Sequence, residues 1–298
     1  MKITAIKTIL LTGPSTNDPF LVECRRRRSA AFIEVHTDVG VIGLGETYAG
    51  YFCPEMVPEI VRFFEPILIG QNVDDINELW RRMYHCGNFW CRVGLGTIVM
   101  NGIDAALWDL KGKLEGVPVH KLLGGSKHNA LDCYATGGPS NYPFDRLAQK
   151  IEFYQSLGFK GLKLGVGWFD RQWIGASGSQ QWVDLEASKL EFVRSCFGND
   201  LFIMLDAHMG NSPVGTWDLE TAVAVAKALE PFDLKFLEEP LSYSDPWGYS
   251  ELCRKTDVPI AGGECLTAEY EWRVFSERDA FDIGQPDEIG RASCRERV

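Results

Sequence analysis

The 298-residue chain contains no apolar run approaching the roughly 20 residues that a membrane-spanning helix needs, so no spanning helix is expected. The N-terminus also lacks the solid apolar block and small-residue cleavage site of a secretory leader. Its first eleven residues, Met1 to Leu11, alternate instead and read as a strand. Positive charge is in deficit. A net charge of −11 excludes the nonspecific electrostatic grip on nucleic acid. It leaves room for a small anionic substrate, because a bound cation inverts the local field. No two of the nine cysteines form a Cys-x-x-Cys pair, and Cys133, Cys196 and Cys253 sit inside apolar runs. Reduced, mostly buried thiols and a cytoplasmic location are the expectation. What is present is ordinary globular composition, 45% hydrophobic and 24% charged, enough for the core of one barrel or two domains.

Residues 1–50 read as a small antiparallel sheet. Ile3 to Leu11 is one strand, Ser29 to Thr37 a second, and Val41 to Glu46 a third after the turn Asp38-Val39-Gly40. The four arginines Arg25 to Arg28 read either as a solvated loop edge or as a loop that holds an acidic substrate. Helices are expected over Pro54 to Ile69, Val73 to Tyr84 and Thr97 to Leu114, where apolar residues recur at helical spacing. The last stops at Gly116 and Pro118. From about residue 128 strands and helices alternate. Strands fall at 131–136, 161–164, 201–206, 234–238, 259–261 and 281–285, with helices at 144–157, 184–196, 219–229, 249–256 and 267–277. Repeated units of this kind give parallel strands and right-handed crossovers. Their continuing repetition favours a barrel, with catalytic groups at the C-terminal strand ends.

Three of these strands finish on acids: Leu201 to Asp206, Leu234 to Glu238-Glu239-Pro240, and Val258 to Gly262-Gly263-Glu264. Acids often begin loops, and for one strand that reading suffices. Three in succession point to a shared cation site. Oxygen ligands and open positions suit a hard dication such as Mg²⁺.

These acids, the triplet Gln285-Pro286-Asp287, and the segments Asn101 to Lys113 and Val117 to Gly125 resemble the enolase superfamily, in its mandelate racemase/muconate lactonizing enzyme-like branch. The resemblance runs from residue 1 to about 288. It implies an α/β protein with an N-terminal α+β capping domain (1–125). A modified TIM-type (β/α)7β barrel follows (126–288), incomplete here with about six strands present. It further implies one Mg²⁺ per active site on Asp206, Glu238 and Glu264, and abstraction of a proton α to a carboxylate. Such a proton is very weakly acidic, and its removal creates a dianion that needs concentrated positive charge. The family meets that need with a Lys or His base beside Mg²⁺.

The family commonly carries Lys-x-Lys on the second barrel strand, the second lysine being the base. Here the strand reads Lys163-Leu164-Gly165, so the base position holds no side chain. Lys163 is left either to neutralise the substrate carboxylate or merely to snorkel at a strand end. The resemblance to acid-sugar dehydratases brings forward His208, whose imidazole can take or give a proton near neutral pH. Its plainer reading is a hydrogen bond to substrate or to a metal ligand. Asp287 corresponds to an acid that the family pairs with a histidine on the seventh strand. Glu239 is expected to bond a neighbour rather than the metal, and His36, His85, His120 and His128 to be structural.

The expected function, that of the intact parent, is dehydration of an acid sugar to a 2-keto-3-deoxy acid by a homo-oligomer. Racemisation, epimerisation or cycloisomerisation on the same scaffold is the alternative, and a degenerate, non-catalytic relative the non-enzymatic one. The segment Gly165 to Trp182, with Trp168, Trp173 and Trp182, reads either as a wall of the substrate pocket or as a surface insertion packed on itself. The capping loops near Gly13 to Arg28 and Thr47 to Pro54 are expected to select the substrate. The final decamer, Ile289 to Val298, is polar and basic and breaks the pattern. It is similar to a translated sequencing-library adapter. The expectation is a non-native tail on a chain cut after the sixth strand, which would itself be inactive or insoluble, its open strand edges facing solvent.

Overall fold

The computed structural model describes residues 1–14, 27–136, 143–167, 179–210 and 216–287. They form two compact units, the first being Met1–Asn129 with the segments Leu266–Glu271 and Pro286–Asp287, the second Ala130–Cys265 with Trp272–Gln285.

In the first unit, β1 (Ile3–Pro14), β2 (Arg27–Thr37) and β3 (Ile42–Thr47) make an antiparallel sheet in that order. Alternation along β2 buries Ala31, Ile33 and Val35 completely. After α1 (Ala49–Phe52) and a 3₁₀ turn come α2 (Val57–Leu68), α3 (Ile76–Gly87), α4 (Leu95–Glu115) and α5 (Val119–Leu122). The Asp75 carboxylate caps α3 by accepting from the Glu78 N–H. The α4 helix lies directly on β3. A Cβ at Gly43 would stand 2.1 Å from the Ala106 carbonyl oxygen, and one at Gly45 2.2 Å from that of Gly102. Only glycine permits this approach.

The second unit contributes β4 (Ala135–Thr136), α6 (Phe144–Ser156), β5 (Gly161–Gly165), α7 (Ser179–Phe197), β6 (Phe202–Asp206), α8 (Leu219–Leu229), β7 (Leu234–Glu238), α9 (Pro246–Cys253) and β8 (Ile260–Gly262). Then follow α10 (Glu269–Ser276) and β9 (Ile283–Gly284). The six strands are parallel and stand in chain order, β4 to β9. An order without reversal is that of a β/α barrel; a doubly wound sheet has a switch point. Both faces are buried, as a parallel sheet requires. Met204, Phe236 and Ala261 cluster on one face with Ile283 against them. Leu164, Leu205, Leu237 and Ile260, in register with one another, fill the other.

Two expectations are corrected. The first barrel strand shrinks from Leu131–Thr136 to Ala135–Thr136, and Leu131 is 78% exposed. The thiols are not mostly buried: Cys133 and Cys196 are exposed and Cys253 is half-buried, whereas Cys91 lies in the core. Cys133 misses burial because the segment around it never joins the sheet. Trp168, Trp173, Arg25, Arg26 and the final decamer lie outside the described residues. Trp182 is buried edge-on to Trp217, their ring centres 5.4 Å apart. Among the described residues no helix is long and apolar enough to cross a membrane.

Candidate active site at the strand ends

Parallel register sets Gly165, Asp206 and Glu238 side by side at the ends of β5, β6 and β7. Between the pairs Ile203–Leu234 and Leu205–Leu237, β7 holds one extra residue. That bulge turns Lys235 outward and keeps Glu238 on the face of Asp206; without it the carboxylate would point the other way. Lys163, two residues before Gly165, shares that face. Its Nζ stands 2.9 Å from Asp206 Oδ2 and 2.6 Å from Glu238 Oε2. The side chain is 11% exposed, so the lysine runs inward and does not snorkel. Gln285 Nε2 donates to the same Glu238 oxygen at 3.1 Å. Burial alone would lower the pKa of Lys163, but the charges of Asp206 and Glu238 outweigh it and hold the ammonium above its ordinary range. For Glu238 burial is the larger influence, followed by the charge of Asp206, and its carboxyl is raised despite Lys163.

Past the strand ends the chain turns sharply. His208 has φ 54° and Glu239 φ 47°, a left-handed conformation that non-glycine residues adopt at a cost. Ladder-like bonds hold both turns: the Ala207 N–H donates to the Glu238 carbonyl and the Met209 N–H to that of Glu239, each at 2.9 Å. The His208 N–H reaches Asp206 Oδ1 at 3.2 Å, and its Nδ1 lies 3.3 Å from the same oxygen. The imidazole is therefore backed by a carboxylate, yet its side chain is 52% exposed.

A second convergence adjoins the first. Ligand atoms of Glu239, Glu264 and Cys265 lie within 4.8 Å of one another, the one such group of three or more among the described residues. Glu239 is fully buried and its Oε2 has no hydrogen-bond partner. Burial, then the charge of Glu264, pushes its carboxyl up to about 8. The Tyr243 hydroxyl donates to Glu239 and accepts from the Gly263 N–H at 2.7 Å. Gly263 has φ 121°, and a Cβ there would fall 2.1 Å from the Trp272 ring. The glycine is what lets the chain turn Glu264 toward Glu239.

The structure thus gathers Lys163, Asp206, Glu238 and His208, with Glu264 joined through Glu239, which also feels the charges of Asp206 and Glu238. Asp287 belongs to the first unit, where burial and its negative charge raise the carboxyl of Glu46. Glu239 was expected to bond a neighbour, and Tyr243 is that neighbour, but its complete burial and raised carboxyl were not foreseen. Its signal was the doubled acid before Pro240, which does not say which acid turns inward. Gln285 was visible only as part of a motif. The donor set suits a hard dication. Asp206 and Glu238 share the Lys163 ammonium, Glu239 and Glu264 have no such ion pair among the described residues, two of the four carboxyls have raised pKa values, and a buried oxygen of Glu239 lacks a partner.

Residues 5–124 match the family "Mandelate racemase / muconate lactonizing enzyme, N-terminal domain", and residues 146–290 match "Enolase C-terminal domain-like". Over 259 residues the chain is 34% identical to a D-galactonate dehydratase of Ralstonia pickettii, covering 86% of this chain and 63% of that protein. It therefore spans under two thirds of that relative's length. Among solved structures, an L-talarate dehydratase from a Polaromonas species, complexed with Mg and L-glucarate, superposes with TM-score 0.81 at 30% identity, covering 98% of this chain and 74% of that one. A racemase from Streptomyces coelicolor with bound magnesium reaches the same TM-score at 25% identity, covering 98% and 78%. The two matches between them take in most of the chain, and their domain order is that of the α+β unit followed by the parallel β/α unit: the chain belongs to the enolase superfamily, in its mandelate racemase/muconate lactonizing enzyme-like branch.

Proposed function

We propose that the protein is an acid-sugar dehydratase, converting a polyhydroxy carboxylate to a 2-keto-3-deoxy acid. The observation that carries this reading is the pairing of an inward Lys163, held between Asp206 and Glu238, with a half-exposed imidazole two residues past Asp206. The galactonate and talarate dehydratases among the relatives support the same substrate class. In this reading Asp206, Glu238 and Glu264 hold one Mg²⁺, with Glu239 bracing them from behind. When bound, the ion supplies positive charge where the carboxylate gains electrons.

The chain's own groups do the rest. Lys163 adds a fixed positive charge beside the substrate carboxylate. His208 moves a proton at Nε2, its Nδ1 side steadied by Asp206 Oδ1. Loss of the α-proton and departure of the β-hydroxyl as water leave an enol, which tautomerises to the keto acid. Asp287 is assigned half of a second acid/base pair on family resemblance alone.

The test is incubation of the protein with aldonates and aldarates, with and without Mg²⁺, followed by assay for 2-keto acid. Dication-dependent keto acid is the expected outcome. Exchange of the α-hydrogen in D₂O without net product would instead favour racemisation, a reading kept in view by the Streptomyces racemase. Absence of both product and exchange in a protein that still binds Mg²⁺ would support the degenerate, non-catalytic reading.

A further inference from the structure

Helix α7 contains a charged pair that the site described above does not use. Glu186 and Lys189 are both 0% exposed. Lys189 Nζ donates to both Glu186 oxygens, at 3.1 and 2.8 Å, to the Gly165 carbonyl at 3.0 Å and to the Gly167 carbonyl at 3.3 Å. Glu186 Oε1 in turn accepts from the Gly167 N–H at 2.8 Å. The pair therefore grips both ends of the three-residue segment Gly165–Gly167 that leaves β5. Between those ends, the Val166 N–H donates to the carbonyl of Asp206 at 3.0 Å.

A wholly buried ion pair is a poor way to gain stability, since well-packed apolar side chains of similar size serve as well or better. The α7 helix already buries Trp182, Leu185, Leu190 and Val193. What apolar side chains cannot do is bind three backbone groups of an irregular segment, which would otherwise be left unsatisfied. The segment so held begins two residues after Lys163 and touches Asp206.

We infer that Glu186 and Lys189 are positioning residues, which fix the exit of β5 and so hold the Lys163 ammonium against Asp206 and Glu238. The inference rests on the proposed role of those three residues only for its catalytic consequence; the placement of Lys163 is measurable without it. The pair acts through backbone, so its removal changes where Lys163 sits without altering any group that meets substrate.

The test compares the unsubstituted chain with the double variant Glu186→Leu/Lys189→Met, which removes both charges together and leaves neither buried alone. The rate at which Lys163 is acetylated is read by mass spectrometry. The affinity for Mg²⁺ is read by calorimetry. Acetylation of Lys163 is expected to rise by about 10-fold, as the ammonium leaves its two carboxylates. Mg²⁺ affinity is expected to fall by roughly 10-fold, the scale on which outer partners of a metal site act. A folded double variant whose Lys163 is labelled at the original rate would overturn the inference. Should that variant not fold, Lys189→Arg keeps the charge but misplaces the donors, and the same acetylation ratio decides. Absence of Mg²⁺ binding or of keto-acid formation in the unsubstituted chain would count against the proposed function alone, because the acetylation ratio stands apart from both.

Discussion

Lys163→Met is the substitution whose cost the structure specifies best. The ammonium lies 2.6 Å from one buried carboxylate and 2.9 Å from another, and Asp206 and Glu238 are only 5% and 2% exposed. Each contact is worth about 6 kcal/mol at an effective dielectric constant of ~20, against several kcal/mol for burying the ammonium. The loss does not reach the sum of the two contacts, because the protein can take up a proton instead of bearing bare repulsion. Glu238 has an ordinary pKa of 4.5. Holding one such carboxyl protonated at pH 7 costs about 3 kcal/mol, at about 1.4 kcal/mol per pH unit. The destabilisation therefore saturates near ~3 kcal/mol at neutral pH. Its sign with pH follows. In the variant the folded carboxyl titrates above the unfolded one, so the native state keeps its proton longer and stability falls as pH rises from 4.5. Urea melts of both proteins at pH 5 and pH 7 should show the difference shrinking toward acid. A dication at about 100 times its Kd for the variant adds about 2.7 kcal/mol to it and should bring it close to the metal-free unsubstituted protein. A difference below ~1 kcal/mol, or one equal at both pH values, would refute the electrostatic account.

His208→Asn should lower dehydration by roughly 10²- to 10⁴-fold while leaving Mg²⁺ affinity within a few-fold, read by steady-state kinetics and calorimetry. Glu239 is the second pH handle. With its carboxyl up at about 8 against an ordinary 4.5, the metal-free protein should lose stability as pH rises between those values. Glu239→Gln should flatten that part of the curve in thermal melts, and an unchanged slope would assign it elsewhere. Gly263→Ala places a methyl 2.1 Å from the Trp272 ring at φ 121°. It should cost about 1–3 kcal/mol in urea melts and weaken Mg²⁺ binding through Glu264.

How legible all this was in the sequence depends on whether a feature is local. Asp206 and Glu238 were readable as strand-end acids because each closes an apolar strand and parallel register sets them side by side, whereas Glu264 lies two residues beyond the end of β8. The bulge in β7 was not readable. One extra residue between Leu234 and Leu237 leaves no trace in a run of mostly apolar side chains, yet it decides which way Glu238 faces. The first barrel strand was overcalled for the converse reason. Leu131 to Thr136 has strand-like residues, but β5 pairs with Ala135 and Thr136 alone.

Glu186 and Lys189 were the least visible of all. An acid and a lysine three apart on a helix ordinarily mark its solvent face, where such a pair is worth a few tenths of a kcal/mol. Here the neighbours are the backbone groups of Gly165 and Gly167, brought in by the fold, and the pair is fully buried. The glycine at 165 is what sequence reading noticed, as the loss of a base. The structure adds that its carbonyl is a grip. The side chain missing from that position and the charged pair buried beneath it bear on one short stretch of backbone, and this stretch sets the distance between Lys163 and the carboxylates on which the proposed chemistry depends.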